Sequence, residues 1–218
     1  MLTTENIFYA ILPSILGIII VYKSDKNREP VKSILYAVSL GIFFCIPVTL
    51  LIVGLIEPFF GEIEGLILWS FINSTFYSSI PEELCKYLAL IYIWKKHKEF
   101  DEPADCIVYG ASVALGFAAI ENISYLYEYG DSVLLLRAFS SVPMHAACGM
   151  LIGVELRKQR YDKSNAATIS HMDAIIPAIT LHAAYNFSIF AGFGYIAIGI
   201  VILSFYLIKR MIATNKLL

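Results

Sequence analysis

Seven apolar runs, each long enough to cross hydrocarbon, dominate this sequence and restrict it to a bundle of membrane helices. They fall at about 5–22, 32–56, 64–94, 106–127, 133–155, 173–191 and 194–211. A helical span needs about 20 apolar residues, and lipid offers no partner for backbone N–H and C=O groups, so each run must satisfy its own. Composition agrees. Hydrophobic residues make up 58% of the chain and charged residues 16%, whereas soluble domains carry about 25% charged. One bundle needs all the runs, so residues 1–218 read as a single integral membrane domain, with a first span at 5–22 and a core at about 32–191. The expected fold class is all-α, a polytopic transmembrane helix bundle of about seven to eight spans. A net charge of −2 leaves no basic face for nucleic acid.

The loops set an expected topology. Lys23-Ser24-Asp25-Lys26-Asn27-Arg28-Glu29-Pro30, Lys95–Asp105, Arg157–Met172 and the Lys209–Leu218 tail hold basic residues. The connections Glu57–Glu62, Glu128–Ser132 and Ala191–Gly194 contain no Lys or Arg. Basic loops stay cytoplasmic, so seven spans with an external amino terminus and a cytoplasmic carboxyl terminus satisfy the alternation. Met1–Glu5 lacks the basic start of a signal peptide, and Ile7–Tyr22 reads as a span. Cys45, Cys85, Cys106 and Cys148 lie in or beside apolar runs without a CxxC pair, so they read as small packing residues.

One run strains this scheme. Residues 64–94 would stretch roughly 46 Å as a helix, and Pro81 would kink or break it. Residues 64–80 therefore form either part of a long span or a separate re-entrant or interfacial piece.

The chemistry lies in ionisable residues placed where lipid should be. These are Glu82, Glu83 and Lys86 in the third run, Glu121 in the fourth, Arg137 and His145 in the fifth, and His182 in the sixth. Each charge at a helix centre costs about 2.5–3.5 kcal/mol on insertion scales, so such groups face the bundle interior and pair. Glu82 and Lys86 are i, i+4 and share a helix face, while Glu83 points round toward another helix. Phe117 and Glu121, with Asn122 next, repeat the spacing, as do His182 and Asn186. Counted from the span ends, Glu82, Glu121, His145 and His182 share one depth at or slightly outside the midplane. Arg137, near the outer end of its span, is expected to snorkel and stay outside the site.

Such a cluster suits hydrolysis. Glu82 or Glu83 in a dry pocket would take a proton from water, His182 and Asn186 would hold the developing oxyanion, and Lys86 would neutralise one carboxylate. The other route is a zinc-activated water held by Glu82, Glu121, His145 and His182. HExxH is absent, so that site would be assembled from separate helices. No GxSxG elbow frames Ser140, Ser141 or Ser188, which weakens a serine mechanism. A proton-coupled transporter or channel would use the same buried groups as a relay, and a non-catalytic peptide-binding scaffold would use them as glue.

Three motifs also carry a resemblance. Pro81-Glu82-Glu83-Leu84-Cys85-Lys86 matches an EExxK signature, Phe117–Asn122 an FxxxEN signature and His182–Asn186 an HxxxD/N signature. In that order they resemble the PrsW proteases, a branch of the superfamily of type II CAAX prenyl endopeptidases and bacteriocin-processing enzymes. Glu29-Pro30-Val31, Ile107–Ser112 and Arg137-Ala138 extend the likeness over about residues 8–190. The resemblance implies a bundle of the type II CAAX prenyl endopeptidase kind in a bacterial plasma membrane. It implies a protease making the site-1 cut in a single-span anti-sigma factor, which releases an extracytoplasmic-function sigma factor. The water-activating Glu of the prenyl endopeptidases maps onto Glu82. Their second-motif His is replaced here by Glu121, and Asn186 stands where some relatives have Asp.

Overall fold

A computed structural model describes residues 3–161 and 171–215, and all the regular structure among them is helical. Helix α1 spans Thr4–Ser24, with the Thr3 side chain accepting the Asn6 N–H at its start. Helices α2 (Val31–Leu40) and α3 (Ile46–Ile56) join through a π turn at Gly41–Cys45. Helices α4 (Leu66–Ile72) and α5 (Ile80–Lys96) join through a second π turn at Asn73–Ser79. Then come α6 (Asp105–Tyr129), the short α7 (Leu134–Phe139), α8 (Ser141–Tyr161), α9 (His171–Phe190) and α10 (Gly194–Asn215).

Residues 66–96 run as one helix through Pro81, without the break and re-entrant piece expected as an alternative. Both π turns end two residues before a proline, Pro47 in one case and Pro81 in the other. A proline ring clashes with the carbonyl four residues back and donates no N–H. Widening the preceding turn moves that carbonyl aside and keeps the helix continuous.

Five helical stretches are long and apolar enough to cross a membrane: Thr4–Ser24, Val31–Phe59, Asp105–Tyr129, Asp131–Gln159 and Gly194–Met211. The other two runs, at 66–96 and 171–190, are diluted by the polar residues described below, and all seven fit one helical membrane bundle. The basic loop expected at Arg157–Met172 is shorter than the sequence suggests, because α8 continues to Tyr161 and α9 begins at His171. Residues 162–170 lie outside the described residues, as do 216–218 of the expected tail.

Helix α6 is the axle of the bundle. In its lipid-length stretch 78% of residues are buried, against 17% in α1 and in α10. Glycines permit that burial. A Cβ at Gly110 would overlap the Gly149 carbonyl of α8, and one at Gly153 would overlap Cys106 O. On the opposite side, Gly116 of α6 meets Val38 O of α2, and Gly41 meets Val113 O. Gly149 and Gly153 form a GxxxG pair, the small-residue spacing that lets membrane helices approach closely. All four cysteines are free and buried, in keeping with a packing role.

Candidate active site

Four helices deliver polar side chains to one buried place beside α6. From α5 come Glu82, Glu83 and Lys86, which are 6%, 0% and 2% exposed. Helix α6 contributes Glu121 and Asn122, α8 contributes His145, and α9 contributes His182 and Asn186. Both histidines are fully buried, with their rings edge to face and 4.9 Å between centroids.

Lys86 sits in the middle. Its Nζ lies 2.8 Å from Glu83 Oε1, 3.5 Å from Glu82 Oε2 and 3.0 Å from His145 Nδ1. It also stands 4.5 Å from the centroid of the Phe117 ring, a cation–π contact. The i, i+4 pairing with Glu82 is present, but the i, i+3 contact with Glu83 is shorter. An ammonium only donates hydrogen bonds, so His145 Nδ1 accepts and its Nε2–H donates to Glu121 Oε2 at 2.7 Å.

His182 has the opposite tautomer. Its Nδ1 lies 2.8 Å from Glu83 Oε1, so Nδ1–H donates to the carboxylate and Nε2 keeps its lone pair. That nitrogen faces Asn186 Nδ2 at 3.0 Å, Ser78 Oγ at 3.4 Å and Glu82 Oε2 at 3.9 Å. Asn186 Nδ2 also donates to Ser78 Oγ at 2.7 Å, and Ser78 Oγ donates to Glu82 Oε1 at 3.0 Å. The second oxygen of each glutamate, Glu82 Oε2 and Glu83 Oε2, is buried without a hydrogen-bond partner.

Arg137 corrects the expectation of snorkelling. It is 8% exposed, and its guanidinium turns inward. One terminal nitrogen donates to Glu121 Oε2 at 2.7 Å, Nε donates to Asn122 Oδ1 at 2.7 Å, and the group lies 3.6 Å from the Tyr125 ring centroid. Asn122 continues the network by donating to Ala10 O in α1 at 3.0 Å. The short helix α7 makes this possible, because it turns Arg137 against the carboxyl-terminal third of α6 rather than leaving it at a helix tip.

Every site residue read from the motifs lies in this network. Sequence reasoning missed Ser78 and Arg137. Ser78 precedes Glu82 by one helical turn, the same spacing that singled out Lys86. Arg137 lies one loop away from Glu121, and its signals were its charge inside an apolar run and its place in the Arg137-Ala138 segment that extends the family likeness.

Comparison with known proteins fits this geometry. A model of the PrsW family intramembrane metalloproteases matches residues 29–210. This chain belongs to that family. It is 34% identical to the protease PrsW of Bacillus subtilis (strain 168) over 167 residues, covering 76% of this chain and 73% of that protein. It is 32% identical to the protease PrsW of Oceanobacillus iheyensis over 181 residues, covering 81% and 79%. No solved structure matches it. Membership makes the chain a membrane-embedded peptidase.

The family description implies a metal, and the donor set accommodates one. One ligand atom from each of Glu82, Glu83, His145 and His182 lies within 4.8 Å of the others. Glu82 Oε2 and Glu83 Oε2, which accept no hydrogen bond, are the donors readiest to turn toward an ion, and the His182 Nε2 lone pair would join them on releasing the Asn186 amide. His145 has both ring nitrogens engaged, and Glu121, expected as a ligand, is held by Arg137 and His145. Mixed His and carboxylate donors on separate helices suit zinc.

Proposed function

We propose that the network hydrolyses a peptide bond with Glu82 as the base that activates water. The observation that carries this is Glu82 Oε2, buried without a hydrogen bond, 3.5 Å from Lys86 Nζ and 3.9 Å from His182 Nε2, while Oε1 is fixed by Ser78. Water donates a proton to Glu82, its oxygen attacks the scissile carbonyl carbon, and Glu82 then passes the proton to the leaving nitrogen. In the tautomer described, His182 Nε2 accepts one Asn186 N–H and Ser78 Oγ the other, so the Asn186 amide serves the oxyanion by exchanging one of these hydrogen bonds for it, and His182 positions the amide. Glu83 anchors His182, and Lys86 pairs with Glu83 at 2.8 Å. A zinc ion held by Glu82 and His182, with Glu83 or His145 completing the set, would supply Lewis-acid polarisation and a more acidic water.

The proposed substrate is a single-span anti-sigma factor in a bacterial plasma membrane. It would be cut at site 1 near the outer face, with release of an extracytoplasmic-function sigma factor. The relatives are bacterial proteases that share one name, and the motif resemblance to type II CAAX prenyl endopeptidases implies that Glu82 corresponds to their leading glutamate. Basic loops and the carboxyl terminus would be cytoplasmic and the amino terminus external.

The test is cleavage of a co-expressed anti-sigma factor by wild type, Glu82→Ala and His182→Ala membranes, each with and without a strong chelator. The proposal expects cleavage by wild type alone, and the chelator arm separates metal-bound from glutamate-activated water. Variants that cut as well as wild type would overturn it and favour a proton relay.

A further inference from the structure

A second buried acidic cluster lies at the opposite end of α6, where the loops 25–30 and 97–104 close over the bundle. Asp25 follows α1, Glu29 precedes α2, and Asp105 opens α6. They are 7%, 6% and 0% exposed, which is unusual for three carboxylates within one small volume. One oxygen from each lies within 4.8 Å of the others. Among the described residues, no Lys or Arg makes an ion pair with any of them. Arg28 is the near cation, and its guanidinium lies over the Tyr22 ring, 5.8 Å from the centroid.

Part of the cluster is explained by local architecture. Asp105 Oδ2 accepts the backbone N–H groups of Asp101 and Glu102 at 2.8 and 2.6 Å, which ties the loop to the start of α6. Glu29 Oε2 accepts the Tyr109 hydroxyl at 2.5 Å. Tyr109 stacks on Phe100, with 5.3 Å between centroids, and so forms an aromatic wall to the cluster. Asn27 Nδ2 latches the two loops together on Glu102 Oε1 at 2.9 Å.

Two atoms are left over. Asp25 Oδ2 and Asp105 Oδ1 are both buried and accept no hydrogen bond from the described residues, and the Glu29 and Asp105 carboxyls face each other closely enough to share a proton, a place a cation can take. A buried carboxylate oxygen without a partner carries its full desolvation cost, which a counter-ion removes.

We propose that Asp25, Glu29 and Asp105 form a binding site for a hard divalent cation, Ca²⁺ or Mg²⁺, that locks the 25–30 and 97–104 loops onto the end of α6. The donors are all oxygen, the preference of hard cations. Two oxygens on opposite sides of a calcium ion stand about 4.6–5.2 Å apart, from Ca–O distances of about 2.3–2.6 Å. The cation bridges α1, α2 and α6, the axle that also carries Glu121 and Asn122. This site does not depend on the protease reading.

The experiment uses full-length protein in detergent micelles and Tb³⁺ as the probe, with its luminescence excited through tyrosine. Tyr109 is hydrogen-bonded to a ligand and serves as the donor. Wild type is expected to give a saturable signal that Ca²⁺ or Mg²⁺ displaces, and the ion effective at lower concentration is the one the site prefers. Glu82→Ala should retain the signal, which separates this site from the intramembrane one. Asp25→Asn and Asp105→Asn should each weaken binding by about tenfold or more, because each removes one of three anionic ligands. A thermal midpoint that rises with the cation in wild type and stays flat in Asp25→Asn would support the same conclusion. No saturable signal in wild type, an unchanged signal in Asp25→Asn, or displacement by Zn²⁺ alone would overturn the proposal. If Asp105→Asn does not fold, Asp25→Asn decides alone, since that residue lies in a loop.

Discussion

The two ends of α6 solve the same problem in opposite ways. At one end the buried Glu82 and Glu83 and the part-buried Glu121 lie beside Lys86 and Arg137, so three carboxylates face two cations drawn from the chain itself. At the other end Asp25, Glu29 and Asp105 are buried together without an ion pair to any described Lys or Arg. The first cluster is balanced but for one charge, and leaves Glu82 Oε2 without a hydrogen bond. In the second no described Lys or Arg offsets the three carboxyls by an ion pair, and a compensating cation has to come from the surroundings. Buried acidic residues therefore do not by themselves mark an active site; the distribution of cations and orphan oxygens around them separates a reactive carboxylate from a cation site.

The largest expected effect falls on the balanced cluster. Glu82→Gln should lower the cleavage rate by about 10²–10⁴-fold, the range for loss of a general base. Circular dichroism of the purified variant should show an intact helical bundle. A cluster that is merely structural would lose stability instead and keep its rate.

Arg137 tests charge balance directly. Arg137→Met strands Glu121 as an uncompensated buried charge and should destabilise the protein by about 3–5 kcal/mol. Adding Glu121→Gln should restore much of that stability but not activity, as read by thermal unfolding and cleavage on the same preparations. Equal stability of the single and double variants would show that Arg137 does not act through Glu121.

Gly149→Ala probes the axle that carries both clusters. Its Cβ would overlap the Gly110 carbonyl, so α6 and α8 must separate, at an expected cost of about 1–3 kcal/mol for overpacking. Because α8 also carries His145, the thermal midpoint and the cleavage rate should fall together.

The smallest effect belongs to the loop latch. Asn27→Ala removes the exposed hydrogen bond to Glu102, worth about 0.5–1.5 kcal/mol. Thermal unfolding should show that loss, and Tb³⁺ titration should show modestly weaker binding rather than none, because the three carboxylates remain.

Much of the fold was legible in the residue order because span formation is a local matter. Each run of about 20 apolar residues must close its own hydrogen bonds, and the seven runs became seven helical stretches in the expected order. The three motifs were legible for a related reason. An ionisable group inside such a run must find company, and i, i+4 spacing states which face of its helix does so. Local rules were silent where a partner comes from far along the chain. Arg137 looked like a snorkelling residue until α7 folded it against Glu121 and Asn122. Pro81 looked like a break until a π turn absorbed it.

What the sequence alone determined is therefore the class of molecule, the number of helical runs and the residues too polar to face lipid. The tertiary structure decided which carboxylate meets which cation. It set His182 Nδ1 against Glu83 across 99 positions of chain, and His145 between Lys86 and Glu121. It also brought Asp25, Glu29 and Asp105 together from three separate helix ends. The physical reason is range. Helix formation and membrane insertion are summed residue by residue, whereas hydrogen bonds and ion pairs in a low-dielectric interior depend on positions to within a fraction of an ångström. Only the close crossing of α6 with its neighbours supplies those positions.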